Sequence, residues 1–337
     1  MKKIINKPEN FVDETMEGII AAYGDKVKLY NGDKRILLSN FPAREGKVGI
    51  VTAGGSGHLP VFLGYVGKGM LDGCAVGNVF ASPSAQKMAD MIRACDRGSG
   101  VLCLYGNYGG DKMNFNMACE TVELEDDIVT KTVLVRDDVA SAPKENADRR
   151  RGVAGMVYAF KAAGAAADQG KNLEEVAAAA QKALDHTRTM GVALSPCIVP
   201  EVGKPTFTIG ENEIEIGMGI HGEPGIEVRE MMTADEIADL ILEKIFEDMP
   251  VASGAKVSVM VNGLGATPKE ELLLVFRRVH QALREKGISI LMPHIGEFAT
   301  SMEMAGMSVT IIELDDELEA LLRAPAITPF YTNANIV

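Results

Sequence analysis

The chain has 337 residues, 47% of them hydrophobic and 24% charged, with a formal net charge of −13. That length suits two ordinary domains with filled cores, and the acidity argues against nucleic acid and anionic membrane surfaces as direct partners. The five cysteines include no C-x-x-C pair and none beside a histidine at metal-ligand spacing, so buried free thiols in a cytoplasmic protein are expected.

The opening MKKIINKPENF has two lysines but no apolar run of signal-peptide length, and no later run is long enough to span a membrane. The first strand expected is KVGIVTA (47–53), followed by a Gly-rich loop. GCAVGNVFA (73–81) is a second, leading through Ser82-Pro83-Ser84 into the helical AQKMADMIRAC. GVLCLYG (100–106) leads through NYGGD into a further helix, and VTKTVLVRDD (129–138) is a fourth strand. Repeated strand–loop–helix units imply a parallel sheet covered on both faces, with ligands in loops after the strand C-termini.

The alanine-rich segment from Val153 predicts two helices hinged near 168–172 and ending at Gly191, a bridge between domains. Beyond it, β signals return in VALSPCIVP, a TFTIGENEIEIGMG hairpin (206–219), AKVSVMVNG, ISILMPHIG and MSVTIIEL, with helices near 233–247 and 268–286. The expected fold class is α/β: two α/β domains, 1–185 and 186–337, with largely parallel or mixed sheets covered by helices. The acidic ELDDELEALL reads as a solvated helix start.

Three places could carry chemistry. TAGGSGHLP (52–60) follows a strand and exposes consecutive backbone N–H groups, with His58 at its end. Such bare backbone suits an oxygen-rich ligand, and equally a tight structural turn. In GNYGGDKMNF (106–115), Asp111 precedes a helix and reads either as an N-cap or as a catalytic base. GMGIHGEPGIE (217–227) places His221 among glycines. Its glycines match G-x-G-x-x-G, but Glu223-Pro224-Gly225 follows where a dinucleotide fold needs a helix, so a functional imidazole is the better reading.

His186 and His280 lie in predicted helices and read as surface residues, while His294 stays undecided. No metal-ligand spacing or G-x-S-x-G elbow occurs. GYVGKGM (64–70) is not a phosphate loop, because Gly69 stands where Ser or Thr is needed and Phe62 where the first glycine belongs.

GGSGH, VGKGML, VFASPS, NYGGDKMNF, RRRGVAG, GKPTF, GIHGEPGIE, NGLGATP and DDELEALLRAPAITP occur in this order, nearly end to end. With them the chain resembles the K subunit of dihydroxyacetone kinase, the ketose-binding half of a short-chain ketose kinase. The resemblance implies that His221 captures the substrate's keto carbon as a covalent hemiaminal, which selects ketoses over polyols. It implies that Gly55, Ser56, Gly57, His58 and Gly106 line the substrate. His58 would hydrogen-bond near the reacting end, and Asp111 would take the proton of the attacking hydroxyl. The chain itself would hold no cofactor and no metal; ATP or ADP with Mg would sit on an L-type partner subunit. A phosphotransferase-system phosphoprotein is a further partner the resemblance allows, and a homodimer is expected.

Three positions depart from the family. Leu59 replaces a glutamate, Gly106 a substrate-contacting lysine, and Gly109 a threonine. The lost cation and added space point to a different ketose, such as the tetrulose erythrulose. A ketose-sensing co-activator of a transcription regulator, without kinase activity, is the competing reading.

Overall fold

The computed structural model describes residues 2–334. Helix α1 (Phe11–Tyr23) leads into β1 (Val27–Tyr30), β2 (Asp33–Ser39), β3 (Gly49–Ser56) and β4 (Gly73–Val79). Next come α2 (Ala85–Cys95), β5 (Val101–Gly106), α3 (Gly109–Asp126) and β6 (Thr130–Val135). Helices α4 (Met156–Asp168) and α5 (Leu173–Asp185) precede β7 (Thr187–Ala193), β8 (Glu213–Ile216) and β9 (Glu227–Glu230). The remainder comprises α6 (Ala234–Asp248), β10 (Lys256–Gly263), α7 (Lys269–Glu285), β11 (Ser289–Glu297), β12 (Gly306–Leu314), α8 (Asp316–Arg323), β13 (Ala326–Ile327) and β14 (Thr332–Asn333).

These elements form two compact α/β units with mixed sheets, the expected fold class. The units interleave in sequence. The first takes Lys2–Val135, Met156–Ala183 and the segment from Leu318 onward; the second takes Arg136–Gly155 and Leu184–Glu317. A single boundary at 185/186 therefore describes one crossing, beside Ala183, and omits the excursion of Arg136–Gly155 and the return at Leu318. The physical reason is where the side chains are bonded: Arg150 and Arg151 hold partners at Asp248 and Gly217 of the second unit.

In the first unit the strand order is β1-β2-β4-β3-β5-β6, with β3 to β6 mutually parallel and β1 and β2 antiparallel at one edge. β3 is buried along its whole length, as its unbroken run of small and apolar residues requires. Met88, Met91 and Ile92 of α2 and Phe115, Ala118 and Val122 of α3 pack on Val51, Ala75, Val101 and Tyr105. Ser84 caps α2 by accepting from the Lys87 N–H. Helix α4 is buried from Met156 through Ala167 and packs on β3 and β5.

The GYVGKGM stretch is a packing turn of this unit. Gly69 has φ +75°, and a Cβ there would fall 2.3 Å from the Pro325 carbonyl oxygen. Gly164 of α4 lies so close to the same turn that a Cβ would meet the Gly69 oxygen at 2.3 Å.

The second unit has the order β11-β10-β12-β7-β8-β9, parallel only between β10 and β11. Its core sets Ile237, Ile241 and Ile245 of α6 and Val275 and Val279 of α7 against Val192, Val257, Val259 and Val309.

Three expectations need correction. The alanine-rich stretch ends its second helix at Asp185, and Thr187–Ala193 is an inner strand paired with β12 and β8. Thr187, Thr189 and Val192 are β-branched and buried, which favours a strand there. Both helices belong mainly to the first unit's core rather than bridging domains. Within 206–219, only Glu213–Ile216 forms a strand, and its hairpin partner is β9, on the far side of His221.

Candidate functional site

The order β4-β3-β5 sets three parallel strands side by side, so the loops leaving their C-termini are neighbours. The GGSGH loop leaves β3, the VFASPS loop leaves β4, and NYGGD leaves β5. A Cβ on Gly55 would fall 2.7 Å from Ala81 N and Phe80 Cα, so the first two loops touch through a glycine backbone. Ser56 Oγ donates to the Gly77 carbonyl at 2.8 Å. Gly57 turns the chain at φ +99°. His58 then lies buried, only 1% exposed, with its ring stacked on Phe80 at 4.8 Å and edge-on to Phe62 at 6.0 Å.

Gly106 is the buried last residue of β5. The N-cap of α3 is Tyr108, so Asp111 is the third helical residue and not the cap. It is buried, at 6% exposure, in the first turn, where the helix dipole favours a carboxylate. A Cβ on Gly110 would meet Ser82 Oγ at 2.7 Å, and Asn114 Nδ2 donates to the Pro83 carbonyl at 2.7 Å. The VFASPS loop is thus the shared neighbour of the His58 and Asp111 loops. A Cβ on Gly109 would meet nothing within 4 Å, so residue 109 borders open space.

His221 belongs to the second unit, on the loop joining β8 to β9. Gly217 (φ +80°) and Gly222 (φ +82°) make its turns, and a Cβ on Gly225 would collide with the Ile216 carbonyl at 2.1 Å. The imidazole is 22% exposed, and Nδ1 lies 2.9 Å from Glu223 Oε1. The His221 backbone N–H donates to Glu223 Oε2 at 2.9 Å. Burial raises the Glu223 carboxyl, but the hydrogen bond and charge of His221 outweigh it and bring the group down to about 2.

Arg151 Nη1 stands 3.9 Å from Glu223 Oε2, while its Nη2 donates to the Gly217 carbonyl at 3.1 Å. Its Nε donates to Asp138 Oδ2 at 2.9 Å. Burial pushes Asp138 up to about 6, opposed by Arg151 and assisted by Asp137.

The structure therefore gathers Gly55, Ser56, Gly57, His58, Gly106 and Asp111 at the C-terminal ends of the inner strands β3 and β5 and places His221 on the second unit. Sequence reasoning gave no role to Phe80, Ser82, Glu223 or Arg151. Glu223 could have been found as the acid two residues after a loop histidine. Arg151 lies in the RRRGVAG motif, but nothing local assigns it to the His221 loop, which is distant in sequence.

The other histidines differ in setting. His186 is partly exposed, 4.0 Å from Glu313. His280 tilts against Phe276 at 6.2 Å on α7. His294 is driven down to about 4 by burial, against a raising Met292 backbone hydrogen bond, so it is neutral at physiological pH. None of the five cysteines forms a disulfide, and Cys119 is the one that is only partly buried. Among the described residues no group of three or more His, Cys, Asp or Glu could hold a metal ion, and no helix is long and apolar enough to cross a membrane.

The Dak1 domain family matches the chain over residues 17–330. A Listeria innocua protein, the dihydroxyacetone-binding subunit DhaK of PTS-dependent dihydroxyacetone kinase 2, is 45% identical over 98% of this chain and 99% of its own length. The L-erythrulose kinase of Pectobacterium atrosepticum is 43% identical over 100% of this chain, which spans only 57% of that relative. Among solved structures, a dihydroxyacetone kinase operon co-activator superposes with TM-score 0.88 at 30% identity, covering 95% of this chain and 98% of its own. The C. freundii dihydroxyacetone kinase in complex with AMP-PNP and Mg2+ gives TM-score 0.90 at 29% identity, covering 98% of this chain and 61% of its own.

Proposed function

The chain belongs to the Dak1 domain family of dihydroxyacetone kinases, and from that premise we propose that it is the ketose-binding subunit of a short-chain ketose kinase, with His221 as the covalent anchor. The observation that carries this reading is the 2.9 Å contact between His221 Nδ1 and Glu223. With the ring proton on Nδ1, the lone pair lies on Nε2, the form an imidazole needs to attack a carbonyl carbon.

Asp111 accepts the proton of the terminal hydroxyl as that oxygen attacks the phosphoryl group, and His58 hydrogen-bonds near the reacting end. Burial of both side chains supports these roles, since a dry setting strengthens such contacts. Gly55, Ser56, Gly57 and Gly106 present backbone to the small substrate. The nucleotide and its Mg2+ belong to an L-type partner, with ATP or a phosphotransferase-system phosphoprotein as the phosphoryl source. We place the protein in the cytoplasm as a homodimer.

A tetrulose is the favoured ketose. Open space beside Gly109 leaves volume for one more hydroxymethyl group, and erythrulose kinases are among the similar proteins.

The test is intact-mass analysis with dihydroxyacetone and erythrulose, followed by turnover with an L-type partner. Wild type should gain the mass of one ketose, His221→Ala should not, and erythrulose should be used at least as well as dihydroxyacetone. An adduct that persists on His221→Ala overturns the anchor. Capture without phosphorylation, with a competent partner present, would identify a co-activator instead.

A further inference from the structure

Glu223 uses both carboxylate oxygens on a single residue. Oε1 holds the His221 ring at Nδ1, and Oε2 accepts from the backbone N–H of the same histidine, each at 2.9 Å. One rigid group therefore fixes the imidazole relative to its own main chain. We propose that Glu223, braced by Arg151, is a positioning residue that locks His221 in the Nδ1–H tautomer and presents Nε2 as the attacking nitrogen. This rests on the reading of His221 as the covalent anchor.

The brace is built from outside the loop. Arg151 reaches Glu223 Oε2 at 3.9 Å while anchored to the Gly217 carbonyl and to Asp138, and its own backbone N–H donates to Ser141 Oγ at 3.0 Å. The meeting place of carboxylate and guanidinium exists because residue 219 is glycine. A Cβ there would fall 2.1 Å from Glu223 Oε2 and 2.4 Å from Arg151 Nη1. The spacing of Gly219, His221 and Glu223 thus encodes an orienting device as well as a loose turn. The low carboxyl value of about 2 keeps the acceptor ionised across the physiological range.

In the capture step the Nε2 lone pair forms the C–N bond and the carbonyl π pair moves to oxygen, which takes a proton from water. The imidazolium so formed sheds its Nδ1 proton along the hydrogen bond to Glu223 and on to solvent. The net change is ketone plus imidazole to hemiaminal, with no other reagent.

The tautomer is read in the ligand-free protein by 15N NMR of the His221 ring, and capture by the rate of adduct formation. Wild type should show Nδ1–H. Glu223→Ala should move the proton to Nε2 and slow capture about 10–100-fold, the usual scale for losing a group that orients a histidine. Glu223→Gln keeps one oxygen acceptor for the ring and should fall between the two, which guards against a folding defect in the alanine variant. An Nε2–H wild type, or a Glu223→Ala variant with unchanged tautomer and rate, overturns the proposal. A normal tautomer shift in a wild type that forms no adduct would sink the anchor reading while upholding the grip of Glu223 on the ring.

Discussion

Replacing Gly219 with alanine adds one methyl group at the junction of Glu223 and Arg151. Residue 219 does not need a left-handed backbone, so the change carries no φ penalty. The atoms in the way, Glu223 Oε2 at 2.1 Å and Arg151 Nη1 at 2.4 Å, are the far ends of flexible side chains. The Glu223 side chain is about a third exposed and can swing into water. The clash is therefore relieved by rotating Glu223 away, so that the backbone keeps its course and the cost to folding is confined to the Glu223 contacts, partly offset by the lower entropy of an unfolded alanine. What is lost is the pair of hydrogen bonds to His221. Each net hydrogen bond is worth about 0.5–1.5 kcal/mol, so the pair represents about 1–3 kcal/mol and capture should slow by a factor of about 5–150. The assay is the rate of adduct formation by intact mass, beside a thermal melt. Unchanged capture would refute the reasoning, because it would show that the ring does not depend on where Glu223 points. A large drop in melting temperature would refute it too, since the clash would then have been absorbed by the backbone.

Asp248 takes a bidentate grip from Arg150 at 3.0 and 2.5 Å and a further bond from Arg188, all within the second unit. Asp248→Ala removes the carboxylate that pairs the buried Arg150 guanidinium, which should cost about 3–5 kcal/mol and lower Tm by about 6–20 °C; a shift under 2 °C, well below that ~6 °C floor, would show that water replaces the carboxylate. Asp138 has a folded value of about 6, above the ordinary 3.8, so between those values only the folded chain holds the proton. Its contribution therefore gains as pH falls through that window and is lost as pH rises through about 6. Asp138→Asn should lack this component, and identical pH slopes of Tm in the two proteins would contradict it. Asp111→Asn should leave capture nearly intact while phosphorylation falls at least ~100-fold, the scale for losing a general base; equal loss of both would mark a structural role.

The four parallel strands of the first sheet were readable because each carries a largely apolar stretch, with β3 and β5 running into Gly-rich loops, whereas the short antiparallel β1 and β2 gave no comparable signal. His58, Asp111 and His221 were visible as titratable side chains set beside runs of glycine. Thr187–Ala193 was misread because alanine-rich helix runs straight into it, and only its inner position in the sheet decides for strand. The β8–β9 pairing was hidden because ten residues of loop separate the strands, where local alternation suggested a closer partner. Asp111 was open between cap and base until Tyr108 proved to be the capping position. Arg151 stood out only as part of RRRGVAG, and its contact with the His221 loop depends on a tertiary excursion that leaves no periodic signature.

That excursion also bears on inheritance. The histidine and the guanidinium that steadies it are encoded on opposite sides of the α4–α5 segment, and the stretch between them builds the other unit. A gene fusion or recombination event that carried away only the later portion would take the His221 loop and leave Arg151 behind. An engineer dissecting the protein meets the same obstacle. No single cut yields either unit whole, so His221 moves between architectures together with most of the chain or loses its neighbours.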